Sequence, residues 1–94
     1  MPTAPGRGVR TIVVVSTGYF IPGTTATGLP VGRGIVAVDP TVIPLGTRLY
    51  IPGYGDGIAA DTGTAIKGLR IDLWFPTLRQ AQQWGAHIVT ITVY

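Results

Sequence analysis

Residues 59–75 read AADTGTAIKGLRIDLWF, and the last five of them alternate in a way that only an extended strand uses fully. Side chains along a strand repeat with period two, so Ile71, Leu73 and Phe75 share one face while Asp72 and Trp74 share the other. The first face is apolar and belongs to a core. The second sets a carboxylate and an indole side by side, roughly 6.6 Å apart along the strand. Asp61 closes a β-like run, Gly57–Asp61, and is followed by Thr62-Gly63, which places it where a strand enters a turn.

Similar short runs recur along the chain at Arg10–Ser16, Gly34–Asp39, Thr47–Ile51, Gly57–Asp61, Leu69–Phe75 and Ala86–Tyr94, separated by Gly and Pro turns. Six strands within 94 residues predict a mostly β chain closed into a small barrel. The 14 Gly and 8 Pro suit a chain that turns often. Pro76–Trp84 has a different period. Pro76 suits a first-turn position, Leu78, Ala81 and Trp84 recur at helical spacing, and Gly85 supplies a stop, so one short helix is expected to cover a barrel end. In the last strand His87, Val89, Ile91 and Val93 share one face, which makes His87 a strand-start residue rather than a catalyst.

A chain of this length forms one domain with a small core. Residues 1–9 read as a flexible lead-in and 10–94 as the domain, a pattern compatible with a piece of a longer, exported protein. No apolar run approaches the roughly 20 residues of a membrane helix. With no Cys and one His, disulfides, thiolate sites and His-based metal clusters are excluded, so neither metal nor cofactor is expected. Clustered carboxylates would hold a hard cation only weakly. Seven Lys and Arg against four Asp give a net charge of +3, scattered without a basic stripe. Nucleic-acid binding is therefore not expected. A mild positive field suits an anionic polymer, and ordinary solubility charge accounts for it equally well.

The Asp72–Trp74 pair is what a sugar site requires. An aromatic ring offers an apolar platform to a pyranose, and apolar surroundings raise the pKa of a neighbouring acid so that it keeps a proton to donate. The alternative is a solvent-facing Asp beside a half-buried Trp. Asp61-Thr62-Gly63 also matches the tripeptide of aspartic proteases, whose small viral forms pair one Asp from each of two protomers. Only 33 residues follow Asp61, too few for the flap and second structural motif of that fold.

A longer pattern involves most of the chain. Thr25-Ala-Thr-Gly28, Ile35-Val-Ala-Val-Asp-Pro40, Val42-Ile-Pro-Leu-Gly-Thr47, Leu49-Tyr-Ile-Pro-Gly-Tyr-Gly55, Ala60-Asp-Thr-Gly63, Ala65-Ile-Lys-Gly68 and Ile71-Asp-Leu-Trp-Phe75 follow one another in order and spacing. Together they resemble the three-aspartate, or 3D, domain of bacterial cell-wall enzymes, including the stationary-phase survival muralytic domains and, more distantly, membrane-bound lytic transglycosylase A. The resemblance spans about Val13 to Tyr94, and the three aspartates fall on Asp39, Asp61 and Asp72. Two departures stand out: Ser16-Thr-Gly-Tyr19 where members often read Ala-Thr-Ala-Tyr, and Thr64 in place of a usual Gly.

The resemblance implies a six-stranded double-psi β-barrel and cleavage of the β-1,4 bond between N-acetylmuramic acid and N-acetylglucosamine to leave 1,6-anhydromuramoyl ends. It implies a lytic transglycosylase acting on peptidoglycan strands, outside the cell or in the wall, as a monomer or a strand-swapped dimer. Asp72 matches the catalytic acid, which would protonate the leaving oxygen and then, as base, deprotonate the 6-hydroxyl attacking C1. Asp61 would raise the pKa of Asp72 or steady the oxocarbenium-like transition state. Asp39, before Pro40, would orient the site or close a turn. Thr25 and Thr27 would reach substrate hydroxyl or N-acetyl groups unless they bond local backbone; Lys67 would pair with an acid of the site or of the glycan; Trp74 and Tyr19 would line the groove. Of Tyr50 and Tyr54, at least one is expected to pack. The same barrel can also serve as a glycan-binding module without catalysis.

Overall fold

The computed structural model describes residues 9–94, so the lead-in expected at residues 1–9 lies, but for Val9, outside the described residues. The described chain runs β1 (Arg10–Tyr19), β2 (Ile35–Val38), β3 (Arg48–Ile51), β4 (Gly55–Asp61), β5 (Arg70–Trp74), α1 (Leu78–Trp84) and β6 (His87–Val93). The strands close into a barrel in the order β1-β5-β2-β4-β3-β6. The double-psi β-barrel with one short helix, expected from the resemblance, is the fold of this chain.

Closure depends on β1, whose two halves serve different neighbours. From Arg10 to Ser16 it pairs antiparallel with β6, and from Val15 to Tyr19 it pairs parallel with β5. The expected end of β1 at Ser16 is therefore three residues short, because Gly18 and Tyr19 are held extended by pairing with Leu73 and Trp74. β4 likewise begins earlier than the expected Gly57, since Gly55 and Asp56 pair with Ile51 and Tyr50. A second parallel pairing joins β2 to β4, and β2 also runs antiparallel to β5.

Alternation fills the lumen. Val14, Val36, Val38, Leu49, Ile51, Ala59, Ile71, Leu73, Ile91 and Val93 form one buried cluster with Ile43, Tyr54, Phe75 and Ala81. The expected split of β5 holds: Ile71, Leu73 and Phe75 are buried and Asp72 and Trp74 are partly exposed. Burying each aliphatic side chain contributes roughly 1.5–3 kcal/mol.

The helix begins two residues later than the sequence indicates, at Leu78 rather than Pro76. Thr77, not Pro76, sets the boundary: its backbone is extended and its hydroxyl accepts from Gln80 N at 3.1 Å, leaving Pro76 outside the cap. Gly85, with φ 65°, closes the helix as expected. The helix lies against β1, and Gly18 is what permits the approach. A Cβ there would stand 2.9 Å from Ala81 O and 3.0 Å from the Phe75 ring, so the alanine common at this place in the resemblance would displace the helix. Ser16, in the same departing stretch, is fully buried; its hydroxyl donates to His87 O at 3.2 Å and accepts from Trp84 Nε1 at 3.0 Å. Tyr54 meets Phe75 and Trp84 edge to face around that junction, and Phe75 and Trp84 pack tilted against each other. His87 begins β6, its ring against Trp84.

Candidate active site

Four strands bring the site together in one row. Asp61 on β4 pairs with Ala37 on β2, Ala37 pairs with Asp72 on β5, and Asp72 pairs with Thr17 on β1. Paired residues on neighbouring strands project to the same face. Asp61 and Asp72 are thus two strand spacings apart, roughly 10 Å between backbones, with only the methyl of Ala37 between them.

Asp61 reaches that row through an irregularity. Val36 pairs with Ala59 but Ala37 pairs with Asp61, so Ala60 is an extra residue on β4. Ala59 faces the core, and strict alternation would point Asp61 inward with it. The bulge reverses this, as bulges beside functional sites commonly do. The carboxylate is then fixed by two backbone donors on one oxygen: Ala26 N at 3.0 Å and Thr62 N at 2.9 Å, both to Oδ1.

Asp72 is held differently. Thr17 Oγ1 donates to its Oδ1 at 2.9 Å. Burial raises its pKa above the ordinary carboxylate value, and the Thr17 bond and the nearby Arg70 charge offset this only in part. The two carboxylates of the row therefore have different surroundings: Asp72 is half-buried and bonded by the Thr17 hydroxyl, whereas Asp61 is held by two backbone N–H groups.

Tyr19 and Trp74 pair one step further along the same strands. The Tyr19 hydroxyl is pushed far above its usual pKa, first by burial and then by the charges of Asp61 and of Asp72, so it lies within electrostatic reach of both and stays a neutral donor. Tyr19 Oη and Trp74 Nε1 are buried and have no hydrogen-bond partner among the described residues. Tyr54 fixes the end of β5 from behind, donating to Trp74 O at 2.7 Å and accepting from Gly34 N at 3.0 Å. It is the packed member of the Tyr50/Tyr54 pair; Tyr50 is exposed. From Thr17 and Tyr19 an apolar groove of about 490 Å³ runs between the end of β1 and α1, past Phe20 and Leu78.

The remaining expected residues hold the frame. Asp39 follows β2 directly, two residues beyond Ala37. Its Oδ1 accepts from Thr41 N and Oγ1 at 3.0 and 2.7 Å and its Oδ2 from Gly68 N at 2.8 Å, and these bonds lower its pKa to about 2. It closes the turn after β2 and ties it to the segment before β5. Lys67 is exposed near Asp39 and adds the smallest share of that lowering. Thr25 and Thr27 spend their hydroxyls inside the chain: they bond each other at 3.0 Å, Thr25 Oγ1 accepts from Leu29 N, and Thr27 Oγ1 donates to Ala60 O. This docks the β1–β2 loop on the bulge and presents Ala26 N to Asp61. Among the described residues no group of three His, Asp or Glu is placed to hold a metal ion.

Thr17 and Arg70 were not singled out in the sequence. Arg70 was legible, since it stands two residues before Asp72 and shares its face. Thr17 was not, because only the parallel pairing of β1 with β5 brings it to Asp72.

Comparison with known proteins agrees with the barrel fold. The 3D domain profile matches residues 34–94. The cell wall-binding protein YocH of Bacillus subtilis is 42% identical over 93 residues, covering 89% of this chain and 32% of YocH. Among solved structures, MltA of Escherichia coli, which has a lytic transglycosylase fold, superposes with a TM-score of 0.63 at 29% identity, covering 79% of this chain and 28% of MltA. MltA with bound chitohexaose gives 0.62 at 26% identity, covering 80% and 28%. The chain thus spans about a third or less of YocH and of MltA. Among the described residues no helix is long and apolar enough to cross a membrane.

Proposed function

We propose, for a chain that belongs to the 3D domain family, that it is a peptidoglycan lytic transglycosylase acting in the cell wall. The observation that supports this best is the row Asp61–Ala37–Asp72–Thr17, in which one carboxyl is biased toward its protonated form and a second is anchored as an anion-sized acceptor across a single methyl.

Asp72 protonates the glycosidic oxygen between N-acetylmuramic acid and N-acetylglucosamine as the bond to C1 breaks. Positive charge develops on C1 and the ring oxygen, and the fixed carboxylate of Asp61 faces it. The muramoyl 6-hydroxyl then attacks C1 while Asp72, now a carboxylate, takes its proton, which forms the 1,6-anhydro ring and restores the acid. Water adds to neither fragment. Thr17 keeps Oδ1 of Asp72 occupied, which leaves Oδ2 to carry the travelling proton. Trp74 offers its apolar ring to a sugar face, and Tyr19 donates a hydrogen bond to a substrate oxygen between the carboxylates. Asp39, Thr25, Thr27 and Lys67 act through the frame, holding the turn and loop that position Asp61 and β5.

Asp72→Asn keeps the shape and removes the transferable proton. Turnover of purified sacculi should fall by about 10²–10⁴-fold, while binding to a chitooligosaccharide persists. Full turnover by the variant refutes the assignment. A second reading is favoured by the name of the relative YocH, a cell wall-binding protein: a glycan-binding module would retain strands intact, with or without Asp72.

A further inference from the structure

We infer that the outer wall of β3 and β4 holds a second site, which binds a peptide segment carrying both a carboxylate and a free amine. A concavity of about 690 Å³ opens there, lined by Arg33, Arg48, Asp56, Ile58 and Tyr94, and none of Asp61, Asp72, Tyr19 or Trp74 contributes to it. Along β3, Leu49 and Ile51 are buried while Arg48 and Tyr50 point outward. Arg48 pairs with Ile58, and Tyr50 pairs with Asp56. Arg48 and Asp56 are therefore diagonal neighbours on one face, roughly 7–8 Å apart.

Arg33 completes the charge pattern from the side. Its guanidinium lies 4.3 Å from the Tyr54 ring centroid and donates through Nη2 to Tyr54 O at 2.8 Å. That single bond leaves most of its N–H donors for a ligand, already oriented. A held guanidinium at Arg33 and a second, exposed one at Arg48 can bind a carboxylate in the two-pronged manner that arginine favours. Asp56 decides between anions. A phosphate with two charges would be repelled by it, whereas a ligand with an ammonium beside its carboxylate satisfies all three groups. Ile58 and Tyr94 supply apolar wall for the methylenes between the charges.

The site is placed to serve the transglycosylase reading, on which the identity of the polymer rests. Asp56 precedes Asp61 on the same strand by five residues, roughly 16 Å of extended chain, so a glycan seated at the carboxylates can extend a peptide branch along β4 into the concavity. The domain would then hold strands by two chemistries, sugar at one place and peptide charge at the other.

The test is an NMR titration of the ¹⁵N-labelled chain with N-acetyl-alanyl-glutamyl-lysine, with the same tripeptide acetylated on the lysine amine, with glycerol phosphate and, separately, with chitohexaose. The tripeptide should produce saturable shifts at the Gly34, Leu49 and Gly57 amides. Arg48→Gln and Asp56→Asn, both on the outer face and harmless to folding, should each weaken it about fivefold. Acetylating the amine should weaken it equally and abolish the dependence on Asp56. The proposal is overturned if the tripeptide leaves these amides unmoved, if neither variant weakens it, or if glycerol phosphate binds there as tightly. Chitohexaose reports on the other site through Thr17, Ala37 and Asp72; its failure alone counts against the glycan reading and leaves the peptide site standing.

Discussion

Thr17→Val tests the claim that Asp72 works as an acid whose proton is set by its surroundings. Valine keeps the shape of threonine and removes the donor that bonds Asp72 Oδ1 at 2.9 Å. That bond favours the ionised form, and burial opposes it, burial being the larger effect. A hydrogen bond to a charged group is worth about 1.5–3 kcal/mol. Asp72 is only partly buried, so the lower end applies, and about 1.4 kcal/mol corresponds to one pKa unit. The sign follows from the role. An acid must hold its proton, so the rate declines as pH rises through the pKa of Asp72; raising that pKa moves the declining limb to higher pH. The variant should therefore keep its rate about one pH unit further toward alkaline conditions, measured as kcat/KM on soluble glycan fragments. Stability should change in the opposite sense. A carboxyl whose pKa is higher folded than unfolded weakens the fold as pH rises between the two values, and Thr17→Val should steepen that loss. A declining limb that stays in place, or moves to lower pH, refutes the assignment of the acid.

Ser16→Ala leaves the partly buried Trp84 Nε1 without its acceptor; a cost of about 1 kcal/mol should lower Tm by roughly 4–8 °C, and an unchanged melting curve would contradict the packing at the helix junction. Asp39 has its pKa lowered to about 2, so the stability it lends is complete above its unfolded value near 4 and is lost as pH falls from there toward 2. In Asp39→Asn the acid-side slope of Tm across that window should flatten, and a slope identical to the parent would remove Asp39 from the turn.

Most of the barrel was readable because its strands obey local rules. Alternation in Ile71–Phe75 fixed which side of β5 is core, and the glycines and prolines marked the boundaries of all six strands to within a few residues. The errors lie where distant pairing overrides local preference. Gly18 and Tyr19 extend β1 only because Leu73 and Trp74 lie beside them, and Gly55 joins β4 because Ile51 is opposite. At the site, the face of Asp72 followed from period two, but that of Asp61 did not. Ala59-Ala60-Asp61 carries no local sign of a bulge, and a strict strand would have buried the carboxylate. Thr25 and Thr27 show the same limit in reverse: a polar loop leaves open whether its hydroxyls meet a ligand or the backbone, and only the fold shows them bonding each other and Ala60 O.

The chemistry of the cut ends tests the central claim most directly. Sacculi digested with the chain, then analysed as muropeptides by mass spectrometry, should yield muramoyl ends about 18 Da lighter than hydrolysed ones, because the ring closes without adding water. Their production should disappear with Asp72→Asn. Reducing ends of full hydrolytic mass would make the chain a hydrolase, and intact strands retained by the protein would make it a binding module.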